Sequence, residues 1–135
     1  MTFPILGLFD IWALLAARLI LGAIFFRHGY AKLKDLPKTK NDFTDMGFRP
    51  SGFWGPLVGV SETLGGLALV LGFFTQVAAA LVGVVMAVAI IWKLKNKLGF
   101  GKAEIDFALL ALAIVLKIFG GGAFALDIFL PQLLF

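Results

Sequence analysis

What most constrains this chain is the length and spacing of its apolar runs. Four stretches, at about 11–33, 53–74, 77–92 and 103–119, each approach the roughly 20 residues that a helix needs to cross a hydrocarbon core of about 30 Å. A backbone in lipid must satisfy its own polar groups, so each run is expected as a helix. Composition agrees: the 135 residues are 61% apolar and 15% charged, whereas soluble domains carry about 45–50% and about 25%. The expected architecture is all-α, an integral membrane four-helix bundle with short loops that forms one domain over 1–135. Asp10, Ser51 and Thr75 stand where helix starts are expected, each with an oxygen that can accept from an orphan backbone N–H.

The connections differ in charge, and that sets the topology. Segments 34–52 and 93–102 read as polar loops that hold Lys34, Lys38, Lys40, Lys93, Lys95 and Lys97, together with Arg49 and Lys102, while Lys32 stands just before the first of them. The turn near 73–76 has no charge, so the second and third spans are expected as tight antiparallel neighbours. Beyond Phe119 come Gly120, Gly121, Gly122 and an apolar tail over 120–135 too short to span, with Lys117 the one basic residue near that side. The positive-inside rule then puts both basic loops in the cytoplasm and both termini outside, in the inner membrane. The net charge of +4 is accordingly a topology signal and no pointer to nucleic acid. The first span is expected to persist, because no basic segment precedes it and it is too long for a signal-peptide core.

The absence of cysteine excludes disulfides, thiolate metal sites and thiol redox chemistry by the chain itself. His28 is the single histidine, which leaves no partner for a transition-metal site, and no metal is expected. Ionisable residues inside spans are costly, about 2.5–3.5 kcal/mol each on insertion scales, and mark the places to look for function. They are Arg18, Arg27 and His28 in the first span, Glu62 in the second, and Asp106 and Lys117 in the fourth. Arg18, Gly22, Phe25, Gly29 and Lys32 share one stripe of the first helix, and Gly55, Gly59, Glu62 and Gly66 share one of the second. Small residues at such spacing let backbones approach closely, so the two stripes are expected to meet. Depth favours Arg27 as the partner of Glu62, whereas helix phase favours Arg18, and the Arg18–Glu62 pair is the preferred reading. That pair is either a structural bolt or one wall of a polar pocket lined by Arg18, His28, Glu62, Arg27 and Glu104. Glu104 and Asp106 also suit the first turn of the fourth helix by dipole, and Lys117 and Asp127 suit the outer interface.

Arg18-x3-Gly22-x2-Phe25-x2-His28-Gly29-x2-Lys32-Leu33 resembles the opening signature of the DoxX family of small four-span membrane proteins. Met46-Gly47-Phe48-x-Pro50 is similar to the family's turn before the second span, and Glu62-x2-Gly65-Gly66-x4-Leu71-Gly72-x2-Thr75 to its Glu-then-Gly-Gly helix. Met86-x2-Ala89 resembles its third span, Glu104 the acid that opens its fourth, and Gly121-Gly122-x3-Leu126-Asp127 its closing turn. Two positions depart: Gln76 stands where the family often has a basic residue, and Trp92-Lys93 where a histidine is expected. The resemblance implies a four-helix bundle associated with membrane redox systems.

Three functions from different classes follow. The first is an accessory or anchor subunit that recruits a soluble oxidoreductase to its basic cytoplasmic loops. The second is binding or transport of a small molecule, quinone or lipid in a pocket lined by Arg18 and Glu62. The third is a homo-oligomeric scaffold that uses the glycine stripes between protomers. Independent catalysis ranks last, and no catalytic residue is assigned.

Overall fold

The computed structural model describes residues 4–130, with side chains from residue 9 onward. Among these residues there are five α-helices and no strand: α1 (Pro4–Lys34), α2 (Leu36–Asp45), α3 (Ser51–Leu71), α4 (Thr75–Lys95) and α5 (Phe100–Phe119), followed by a 3-10 turn at Leu126–Phe129. Expectations for the chain termini and the end of the apolar tail fall outside the described residues. Three helices, α1 from Phe9 onward, α3 and α4, are long and apolar enough to cross a membrane. At 20 residues α5 has the length, but Lys102, Glu104, Asp106 and Lys117 fall within every 18-residue stretch of it, whereas the other three each have such a stretch with no more than two charged residues. Large apolar side chains are exposed along all four long helices, among them Ile20 at 55%, Leu64 at 60%, Val84 at 61% and Ile118 at 64%. Helices apolar on their outer as well as their inner faces are solvated by lipid, so this is a membrane protein.

Close approach of α1 and α3 builds the bundle. A Cβ on Gly22 would lie 2.7 Å from the Gly66 carbonyl oxygen, one on Gly66 would strike the Phe26 backbone nitrogen, and one on Gly29 would strike Thr63. The two glycine stripes therefore meet in antiparallel register within one chain. They are buried there and present no surface to a second protomer. Around that contact Leu21, Phe25, Leu69, Val82 and Leu116 close a core with Ala78, Ala79, Met86, Leu109 and Ala113 from α4 and α5. Small alanines let α4 and α5 pack as a second antiparallel pair, with Gly83 against Ala113.

Two expectations about helix ends are corrected. Asp10 lies inside α1, which begins at Pro4, so it is no N-cap. Ser51 and Thr75 are the first helical residues of α3 and α4, with Pro50 and Phe74 in the cap positions and no side-chain cap from either. The 34–52 connection, expected as a loop, contains α2. Asp35 caps it by accepting from the Lys38 N–H at 3.2 Å, a proline sits in its first turn, and Thr39 and Phe43, one helical turn apart, bury against the rest of the protein. With Leu36 and Phe43 the only large apolar residues in ten positions, the segment shows no helical periodicity of apolar side chains.

The bundle has two chemically distinct ends. A basic end gathers the foot of α1, all of α2, the end of α4 and the start of α5. It is laced together by the Trp92 indole N–H, which donates to the Met46 carbonyl at 2.8 Å, and by Lys93, whose ammonium pairs with Asp106. The opposite, glycine-rich end is made by the α3–α4 turn and the segment after α5.

Candidate functional site

The buried charges form two separate clusters. At the foot of α1, opposite the middle of α3, Glu62 is 3% exposed, and its Oε2 accepts from the Lys32 ammonium at 2.7 Å, with Lys32 at 28% exposure. Lys32 reaches Glu62 because the α1–α3 register sets Gly29 against Gly59 and Thr63, leaving the lysine one turn closer to the basic end. The next residues down are tied in by Thr39 of α2, whose hydroxyl donates to the Lys32 carbonyl at 2.7 Å. Arg27 and His28 are exposed and line, with Lys38, Asp42 and Lys32, an open polar groove between α1 and α2. Glu104 is exposed on α5, away from that groove.

At the glycine-rich end Arg18 is 2% exposed. Its Nη1 donates to the Gly121 carbonyl at 2.8 Å and its Nη2 to the Phe124 carbonyl at 3.2 Å. Asp127, 5% exposed, supplies the nearby negative charge. One of its carboxylate oxygens, Oδ2, accepts from the Thr75 backbone N–H at 2.9 Å, and its own N–H donates to the Gly72 carbonyl at 2.9 Å. The cap of α4 thus comes from a carboxylate 52 residues away, set at a helix N-terminus where the backbone dipole favours it. Gly72 has φ +70, and a Cβ there would lie 2.7 Å from Arg18 Nη1, so both the left-handed turn and the guanidinium require glycine.

The preferred Arg18–Glu62 pair is therefore corrected: Glu62 takes Lys32, Arg18 takes the Gly121 and Phe124 carbonyls with Asp127 as a nearby countercharge, and about 21 Å of α1 separates the two clusters. A single pocket lined by Arg18 and Glu62 does not form. Antiparallel register is the reason, since it sets Arg18 beside Gly72 and leaves Glu62 more than two turns away along α3. Sequence reasoning missed Lys32, counted with the loop bases although it lay on the Arg18 stripe, and Asp127, assigned to the interface. A signal for Asp127 existed in the depth of Arg18, which lies roughly 22 Å from the basic end and so near the closing turn. Trp92 and Lys93, where a histidine was expected, both make structural bonds. Among the described residues no three His, Asp or Glu side chains gather as metal ligands.

The Lys32–Glu62 pair makes a measurable claim. Lys32→Met is expected to cost about 2–3 kcal/mol, because it strands a buried carboxylate. The double variant Lys32→Met/Glu62→Leu should recover most of that loss. Reversible unfolding in mixed micelles would measure both, and a double variant no more stable than the single would mean that the two residues do not act as a pair.

The sequence model of the DoxX family matches residues 13–94. The chain is also similar to a protein of Bacillus subtilis (strain 168) named "Putative oxidoreductase CatD", at 36% identity over 122 residues that span 90% of this chain and 88% of that protein. No solved structure matches it.

Proposed function

The chain belongs to the DoxX family, and on that premise we propose that it is the membrane subunit of a redox system, holding a soluble oxidoreductase against the bilayer. In this reading all four long helices cross the inner membrane, α5 included. The basic end faces the cytoplasm and both termini lie outside.

The observation that carries the proposal is the surface of the basic end. Lys32 and Lys93 are held in ion pairs, but Arg27, Lys34, Lys38, Lys40, Arg49, Lys95, Lys97 and Lys102 are exposed there, against exposed Asp35, Asp42, Asp45 and Glu104. Eight bases over four acids leave a positive surface that attracts and orients an acidic partner. The relative's name as an oxidoreductase supplies the class of reaction. With no cysteine and one histidine, this chain supplies little redox-active side-chain chemistry of its own, so the reacting groups belong on the partner.

Tagged chain purified from native membranes in mild detergent is expected to carry a soluble oxidoreductase with it. Lys95→Glu/Lys97→Glu/Lys102→Glu should lower that recovery at least tenfold, since three charge reversals remove attraction and add repulsion. The same variant should leave the thermal midpoint within a few degrees, because all three side chains are exposed. Recovery of no redox enzyme, or equal recovery by the triple variant, refutes the reading.

A further inference from the structure

The Arg18 cluster holds three buried polar atoms for which no protein partner is present: Arg18 Nε, Asp127 Oδ1 and Thr75 Oγ1. All three belong to side chains at least nine-tenths buried, at 2%, 5% and 0% exposure. Buried polar groups in native proteins are almost always hydrogen-bonded, and three at one spot call for a common partner. Their chemistry is complementary. Arg18 Nε is a donor, Asp127 Oδ1 is an acceptor, and the Thr75 hydroxyl is either.

We infer that this spot binds one structural water molecule, which accepts from Arg18 Nε, donates to Asp127 Oδ1 and takes its third bond from the Thr75 hydroxyl. Three bonds to otherwise unsatisfied groups are the usual holding of a buried water. Their residues are neighbours: Asp127 Oδ2 is bonded to the Thr75 N–H at 2.9 Å, and Arg18 Nη1 donates to the Gly121 carbonyl at 2.8 Å. The point where a Cβ on Gly121 would sit is 2.6 Å from Thr75 Oγ1 and 3.4 Å from Arg18 Nη1. Glycine at 72 and 121 keeps methyl groups out of this corner, where a Cβ would lie 2.5 Å and 2.7 Å from the Ala125 methyl. Arg18 and Asp127, which share no direct salt bridge, are in consequence joined through water.

The test is nuclear magnetic resonance on the full chain in lipid nanodiscs with nitrogen-15 arginine. The Arg18 Nε–H signal is assigned by exclusion with Arg27→Lys and Arg49→Lys, both at exposed positions. A long-lived bound water gives this proton a cross-peak to the water resonance whose sign differs between laboratory-frame and rotating-frame experiments. That cross-peak is expected in the parent chain and in Thr75→Val, where two of the three partners remain and no hydroxyl can relay the signal. Three outcomes overturn the inference: loss of the peak in Thr75→Val, equal signs in both experiments, or a through-bond coupling from Arg18 Nε to the Asp127 carboxyl carbon. The last would show that the two groups touch directly.

Discussion

Replacing Asp127 by alanine is expected to lower the stability of the protein by about 3–5 kcal/mol, the cost of leaving a buried charge without its partner. Two losses combine in that change. Arg18 keeps its carbonyl acceptors at Gly121 and Phe124 but loses its countercharge, and the first N–H of α4 loses the carboxylate that caps it. Asp127→Asn separates the two. Its amide oxygen can still accept from Thr75, so the cap survives while the charge does not, and an intermediate loss is expected. Unfolding by added sodium dodecyl sulfate in mixed micelles would rank the three chains. If alanine and asparagine destabilise equally, the cap contributes nothing and the charge carries the effect alone.

A methyl branch at position 66 is expected to do comparable damage by geometry. The Cβ of any residue other than glycine at position 66 strikes the Phe26 backbone nitrogen and lies 2.6 Å from the Gly22 carbonyl oxygen. Backbone atoms cannot rotate away, so α1 and α3 must separate. Gly66→Val should therefore cost about 3 kcal/mol or more, at or beyond the upper end of ordinary overpacking. Gly101→Ala in the first turn of α5 is the control, because nothing lies within 4 Å of its Cβ position. That substitution is expected to be neutral or to stabilise by about 0.4–1 kcal/mol. Equal effects at the two glycines would mean that helix propensity, and not the α1–α3 contact, governs both.

Helix placement was legible in the sequence because hydropathy and length act locally. The expected 53–74, 77–92 and 103–119 runs lie within a few residues of α3, α4 and α5, since lipid solvation imposes the same apolar requirement along each. The meeting of Gly22 and Gly29 with Gly59 and Gly66 was legible too, because small residues at helical spacing specify a close backbone contact whatever else surrounds them. Pairing of charges was not. Choosing a partner for Glu62 needed the relative slide and rotation of α1 and α3, since Arg27 and Lys32 are five residues, about 7.5 Å, apart along the helix. The role of Asp127 depended on a turn that brings it back over the start of α4, and no periodicity encodes such a return. Helix α2 was hidden for a different reason: its support comes from Asp35 and from burial of two side chains against the rest of the protein, neither of which has a signature in hydropathy.

The clasp at the glycine-rich end also orders events during synthesis. The carbonyls that receive the Arg18 guanidinium belong to residues made 103 and 106 positions later. At the usual rates of translation that is an interval of about 5–20 s in which α1 must sit in or beside the bilayer with an unpaired guanidinium. A chain terminated before residue 121 lacks both carbonyls and leaves the guanidinium without these acceptors. Completion of the turn after α5 is then the step that gives Arg18 its acceptors and ties α1 to the end of the fold.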